Sequence, residues 1–123
     1  MENSHFEAAV RRREGTAIIE LKGDVNAFAE EALNAAYAEA AQVDSATILL
    51  NFQHVAYINS TGIALIVGLL AQARKSQRRM FACDLSDHYR EIFQITRLAD
   101  FMGIFPDEAS ALAEAGAPAI AEK

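Results

Sequence analysis

The 123-residue sequence has little of what marks several large protein classes. Its single cysteine, Cys83, excludes an internal disulfide. It has no run of about 20 apolar residues that would span a bilayer, and its N-terminal residues lack the apolar segment of a signal peptide. Its formal net charge is -6, whereas proteins that bind nucleic acid nonspecifically usually carry excess positive charge. We therefore expect a cytoplasmic protein that neither enters a membrane nor binds nucleic acid directly.

Residues that could perform chemistry are equally sparse. The three histidines, His5, His54 and His88, are scattered and have no second cysteine to join them, so no metal site is predicted. No glycine-rich phosphate loop occurs. Ser60 has a glycine on one side only and does not fit the G-x-S-x-G pattern of hydrolases. We expect a protein that is not an enzyme and has no cofactor.

The hydrophobic pattern predicts one α/β domain. With 52% apolar residues the chain can fill a single core. The pattern predicts a hairpin followed by alternating helices and strands, in a mixed sheet of four to five strands packed with about four helices. The predicted strands are 6–13, 16–22, 46–52, 80–83 and a brief edge strand at 104–105; the predicted helices are 27–42, 60 or 61 to about 77, one capped by Ser86 or Asp87 and stopped at Gly103, and one from 106–108 to 116. The predicted core is 6–115, with a loose tail at 116–123.

Two predictions concern helix faces. In the first helix, Phe28, Leu33 and Tyr37 are spaced as an apolar stripe. In the second helix, the core side is predicted to hold four residues: Ile63, Ile66, Val67 and Leu70. Leu65 and Leu69 then point the opposite way, where either a neighbouring helix covers them or they form half of a docking strip beside Ser60.

A polar segment, Asn59-Ser60-Thr61-Gly62, stands between two apolar runs at the predicted start of the second helix. Side chains of these types cap helices by accepting hydrogen bonds from the first turn, which stabilises a protein by about 1 kcal/mol. A helix N-terminus also receives a phosphate well, through the same N–H groups and the positive end of the dipole. Both a capping role and a modification site are open at this point.

Three segments resemble the STAS domain family of anti-sigma-factor antagonists: LKGDVNAF, ILLNFQHVAYINSTGIALIVGLL and IFPDEASAL. The resemblance runs from about residue 15 to 112. It implies that Ser60 is the phosphorylated serine, with Thr61 as the fallback acceptor and Gly62 closing the turn. Asp24 matches an acidic position near the phosphosite. Asn59 departs from the family pattern, because phosphorylated members usually have aspartate there.

The resemblance also implies a function and a set of contacts. Unmodified antagonist binds an anti-sigma factor that is also a serine kinase of the ATPase fold, and phosphorylation at Ser60 breaks that complex. The expected partner-binding residues are Asp24, Asn26, Asn59, Ser60, Thr61, Gly62, Leu65 and Leu69. The alternative is a non-switching STAS scaffold or subunit of a signalling or lipid-transport complex, and a third is nucleotide binding at the loops of Asp24 and Ser60. No particular oligomeric state is predicted.

Overall fold

The computed structural model describes residues 6–13, 15–42 and 45–116. Residue 14 of the predicted hairpin turn and residues 117–123 of the predicted tail lie outside that range. The strands are β1 (Glu7–Arg13), β2 (Thr16–Lys22), β3 (Thr47–His54), β4 (Arg79–Cys83) and β5 (Gly103–Phe105). The helices are α1 (Glu30–Ala41), α2 (Ser60–Lys75), α3 (Asp87–Ile95) and α4 (Glu108–Gly116), with single 3₁₀ turns at Ala27–Ala29 and Leu98–Asp100. The predicted α/β fold is confirmed.

The sheet is mixed, in the order β1-β2-β3-β4-β5. β1 and β2 pair antiparallel as the predicted hairpin, whose turn residue Gly15 has φ 84°, and the other neighbours pair parallel. β3 is the central strand, and its residues 47–52 are all buried. A strand covered on both faces needs apolar side chains on both, which explains its continuous apolar run.

Helices cover the two faces of the sheet unequally. Successive side chains of a strand point to opposite faces, so neighbours such as Leu49 and Leu50 enter different clusters. Leu50 belongs to the large cluster that packs against α1, α2 and α3. Leu49 belongs to a small cluster in which Ala111 of α4 is buried. The face covered by α1, α2 and α3 therefore carries most of the core.

The first helix begins later than predicted. A 3₁₀ turn occupies Ala27–Ala29, and α1 starts at Glu30. Leu33 and Tyr37 are buried as expected, but Phe28 is 86% exposed. The prediction that Phe28 shares their stripe is wrong, because the 3₁₀ turn winds three residues per turn and changes the angle between Phe28 and the α-helical positions.

The third helix also differs at its end. Ser86 caps α3 as predicted, with its hydroxyl oxygen accepting from the Tyr89 amide at 3.2 Å. The helix ends at Ile95 rather than at Gly103, because Arg97 takes a left-handed conformation with φ 69°. Thr96, the residue after the helix, is exposed. Gly103 instead begins β5.

Candidate functional site

The polar segment forms the N-terminus of α2, and Asn59 is its cap. Asn59 is extended, with φ −94° and ψ −176°, and its Oδ1 accepts a hydrogen bond from the Gly62 amide at 2.8 Å. Ser60 is the first residue of the helix, and both Ser60 and Thr61 are exposed. The capping role therefore belongs to Asn59, which leaves the two hydroxyl-bearing residues at the surface.

The loop between β2 and α1 is bonded to this helix start through its backbone. The Val25 amide donates to the Tyr57 carbonyl at 2.9 Å, and the Val25 carbonyl accepts from the Asn59 amide at 3.2 Å. These bonds flank a parallel bridge between Val25 and Ile58. Two segments more than thirty residues apart are thereby held side by side.

Gly62 is required by the same contact. A Cβ placed on Gly62 would stand 2.1 Å from the Val25 carbonyl oxygen and 2.8 Å from the Val25 carbonyl carbon. Real Cβ atoms do not approach backbone this closely, and Gly62 is buried. The first turn of α2 thus rests directly on the β2–α1 loop.

The Val25 contact brings the predicted loop residues to the neighbourhood of Ser60. Asp24 and Asn26, on either side of Val25, are half-buried. The Asn26 side chain caps the 3₁₀ turn, because its Oδ1 accepts from the Phe28 amide at 2.9 Å. Asn26 therefore has a structural role in shaping the loop.

Phe28 is an exposed aromatic residue of the β2–α1 loop, and the sequence pattern did not predict its exposure. The Asn26 cap fixes the turn that carries Phe28, and its ring projects into solvent. Exposed large aromatics on a fixed backbone are frequent anchors in protein–protein interfaces. The sequence feature that could have indicated this turn is Asn26, two residues before Phe28, because asparagine is a preferred N-cap and helical residues follow directly after it.

A groove of about 540 Å³ opens beside Ser60. Its walls come from the residues before and in the first turn of α2 and from α3: Tyr57, Ile58, Asn59, Ser60, Ile63, His88, Tyr89, Ile92 and Thr96. The buried Tyr89 hydroxyl oxygen accepts from the Ile58 amide at 2.9 Å, which ties α3 to the helix start. Tyr57, one of the residues that line the groove, is 52% exposed.

The core-facing side of α2 differs from the prediction. Leu69 is 2% exposed and lies in the core with Ile66 and Leu70, whereas Val67 is 45% exposed. Leu65 is half-buried and packs against the same core. The alternative in which Leu65 and Leu69 form half of a docking strip beside Ser60 is therefore wrong. Before the last turn, the solvent side of α2 includes small uncharged residues: Ala64, Gly68 and Ala71.

The site shows no arrangement for a metal. Across residues 6–13, 15–42 and 45–116, no three His, Cys, Asp or Glu side chains are grouped so as to hold an ion. In the same described residues, no helix combines the length and the apolar character required to cross a membrane.

A family model described as "STAS domain" matches residues 7–111. The chain belongs to the STAS domain family. The match covers the whole sheet and the first part of α4, and it confirms the family predicted from the three sequence segments.

Curated relatives of this STAS protein carry anti-sigma factor antagonist names. BtrV of Bordetella bronchiseptica, whose name places it in that class, is 35% identical over 95 residues, which cover 76% of this chain and 78% of BtrV. The "Anti-sigma-B factor antagonist" of Staphylococcus aureus is 26% identical over 86 residues, which cover 70% of this chain and 80% of that protein.

Solved structures share the fold of this STAS domain. An anti-sigma factor antagonist from Mycobacterium paratuberculosis has a TM-score of 0.78 at 14% identity, over 90% of this chain and 94% of that one. The anti-sigma factor antagonist SpoIIAA in its unphosphorylated form has a TM-score of 0.64 at 23% identity, over 89% and 94%. SpoIIAA of Bacillus in the phosphorylated form has a TM-score of 0.68 at 24% identity, over 89% and 98%.

The Gly62 contact in this STAS domain leads to a stability prediction. Gly62→Ala should lower the free energy of unfolding by about 1–3 kcal/mol or more, because the added methyl group forces two backbone segments apart. Gly68→Ala is the matched control in the same helix, where an added Cβ meets nothing within 4 Å. That control should be neutral or stabilise by up to about 1 kcal/mol. Urea unfolding followed by circular dichroism measures both, and equal stability of the two variants would contradict the contact.

Proposed function

We propose that this chain is an anti-sigma factor antagonist that works by partner switching. In its unmodified form it binds an anti-sigma factor that is also a serine kinase of the ATPase fold. Transfer of the γ-phosphoryl group of ATP to the Ser60 hydroxyl, with loss of the hydroxyl proton and release of ADP, ends that binding. The anti-sigma factor is then free to hold its sigma factor again.

The observation that carries the proposal is the exposed position of Ser60 at the start of a helix that another residue caps. Since Asn59 accepts the hydrogen bond from Gly62, the Ser60 hydroxyl is not needed to complete the helix. A phosphate at this position lies near the positive end of the helix dipole and adds about -1.5 to -2 charges. The domain can therefore remain folded while its surface charge changes.

The surroundings of Ser60 support a partner surface. The Val25 contact holds the β2–α1 loop, with Asp24 and the exposed Phe28, next to the helix start. Tyr57 adds a second exposed aromatic ring beside the groove. Exposed aromatic residues near a residue that can gain charge suit an interface that is broken by adding a phosphate. The names of the curated relatives support an anti-sigma factor as the occupant.

Phosphorylation should occur once and at Ser60. With ATP and the cognate kinase, intact-mass analysis should show one added phosphate on the wild type and none on Ser60→Ala. Thr61→Ala is the matched control and should still gain the phosphate. An unmodified wild type, or labelling of Ser60→Ala equal to that of the wild type, would contradict the assignment; labelling that disappears only in Thr61→Ala would move it to Thr61.

A permanent charge at position 60 should mimic the phosphate. Ser60→Asp should keep the wild-type stability or gain about 0.3–1 kcal/mol, because a carboxylate suits a helix N-terminus. Affinity for the anti-sigma factor should fall tenfold or more, which is about 1.4 kcal/mol. The matched control is Ser60→Asn, because an asparagine side chain has nearly the same shape as aspartate but no charge. It should bind far better than Ser60→Asp.

Calorimetric titration and thermal unfolding of the same variants separate the possible outcomes. Loss of binding together with an early melting transition in Ser60→Asp would mean that the residue is structural. Phe28→Ala belongs in the same titration: it should weaken binding with little change in melting, because its ring is solvated in the free protein. In a separate pull-down with the wild-type protein, capture of transporter subunits instead of a kinase would favour the scaffold alternative.

The neutral cap at position 59 should make phosphorylation slow. Asn59→Asp preserves the acceptor oxygen that bonds the Gly62 amide, so the stability should be unchanged, and it restores only the negative charge typical of phosphorylated STAS proteins. The phosphorylation rate with the cognate kinase should rise severalfold, while the affinity without ATP should change little. Asn59→Ser, a neutral cap, should stay as slow as the wild type. Equal rates for Asn59→Asp and the wild type would show that this charge does not limit the reaction.

A further inference from the structure

The face of the sheet opposite α1, α2 and α3 holds an apolar strip that crosses the three central strands. Its residues are Ile18 of β2, Leu49 of β3, and Phe81 and Cys83 of β4, and each is at most 6% exposed. Of the helices in the described part of the chain, α4 alone packs on this strip. Phe105 of β5 also packs against the strip, with its ring centroid 4.8 Å from that of Phe81, and α4 supplies the remaining apolar cover.

The apolar contact of α4 with the strip is small. Of its nine residues only Ala111 is buried, and Leu112 and Ala115 are partly buried. On the other face, α1, α2 and α3 insert large side chains that are almost fully buried, among them Leu33, Leu69 and Phe93. Because apolar stabilisation scales with buried area, α4 is held far less firmly by packing than the other three helices.

Polar contacts add to this attachment, and two of them come from arginines, one at each end of α4. Arg11 of β1 makes a two-pronged ion pair with Glu108, with distances of 2.8 Å and 3.3 Å to the two carboxylate oxygens. Arg79 of β4 donates to the Ala115 carbonyl at 2.8 Å near the other end. We call these two contacts the arginine clamps.

Glu108 is the central residue of the first clamp. The buried Asn51 amide of β3 donates to its Oε1 at 2.8 Å, and Arg11 also contacts Glu20 at 3.2 Å. Hydrogen bonds from Arg11 and Asn51 hold the pKa of Glu108 below its usual range. Both side chains of the Arg11–Glu108 pair remain partly exposed, so salt in solution can weaken their attraction.

We propose that α4 is a displaceable cover, held by the two arginine clamps, and that its release uncovers the apolar strip while the rest of the domain stays folded. Regions with few buried apolar contacts and solvent-exposed polar contacts open at free energies well below that of global unfolding. The sheet and its three-helix face do not depend on α4. In the opened form Cys83 and its neighbours on the strip become accessible to solvent, whereas in the closed form they are buried.

Cys83 supplies a built-in probe of this motion. It is the only cysteine of the chain and is 0% exposed beneath α4. Burial raises the pKa of its thiol above the ordinary value, so the closed form resists alkylation. The rate of Cys83 modification by iodoacetamide, followed by intact mass at constant pH, therefore reports how often α4 opens.

The test compares variants that weaken one clamp with a matched control. Arg11→Gln and Glu108→Gln should each raise the modification rate by about tenfold, the change that corresponds to about 1.4 kcal/mol. Arg12→Gln is the control, because Arg12 lies next to Arg11 but donates to the Glu39 carbonyl of α1 on the other face. It should stay close to the wild-type rate.

Two further measurements on the folded protein make the outcome decisive. Amide exchange in the fast variants should increase in α4 and stay unchanged in α1, α2 and α3. In the wild type, added sodium chloride should raise the modification rate, whereas low urea concentrations should change it much less steeply than they change global unfolding. If modification in every variant instead follows global unfolding, with the same urea dependence, α4 is a fixed part of the core and the proposal is overturned. None of these outcomes depends on whether Ser60 is phosphorylated.

Discussion

The close approach of Gly62 to the Val25 carbonyl is the constraint on which the functional end of the molecule depends. It accompanies backbone hydrogen bonds that join the two segments, with the Val25 amide and carbonyl bonded on either side of Ile58. Backbone contacts of this kind leave the neighbouring side chains free to serve other purposes. The candidate residues of the loop and those of the helix start can therefore vary in chemistry while the geometry that juxtaposes them stays the same.

At the start of α2, the residues that satisfy backbone donors are different from the residue proposed to be modified. Asn59 satisfies the Gly62 amide, and Tyr89 of α3 satisfies the Ile58 amide from beneath. With these donors satisfied by other groups, the structure makes no demand on the Ser60 side chain beyond its small size at the surface. A residue without a structural task is where a charge can be added at least cost, because nothing has to unfold to accommodate it.

Much of the fold was predictable because each strand and helix carries its own local signal. The continuous apolar run of β3 predicted a central strand, and the Ser86 cap predicted the start of α3. The face of α2 was not predictable in the same way. Before its last turn, which carries Arg74 and Lys75, its solvent side has alanine and glycine rather than charged residues, so the contrast in polarity that orients a helix is weak there. The contact of Gly62 with Val25 was also hidden, since it joins residues distant in sequence and involves no side chain. The exposure of Phe28 followed from a single 3₁₀ turn, whose length local patterns do not determine.

Because helices cover the two faces of the sheet unequally, an event at α4 and an event at Ser60 involve different parts of one small domain. β3 is hydrogen-bonded to β2 and β4 on its two edges, and its end leads into the segment that the Val25 contact holds. Its Asn51 side chain meanwhile points to the opposite face and donates to Glu108 of α4. Because the strand's own bonds lie in the plane of the sheet, loss of the Asn51–Glu108 contact need not disturb β3 or the segment that follows it. An event at α4 and an event at Ser60 can therefore occur independently, unless a partner touches both faces of the sheet at once.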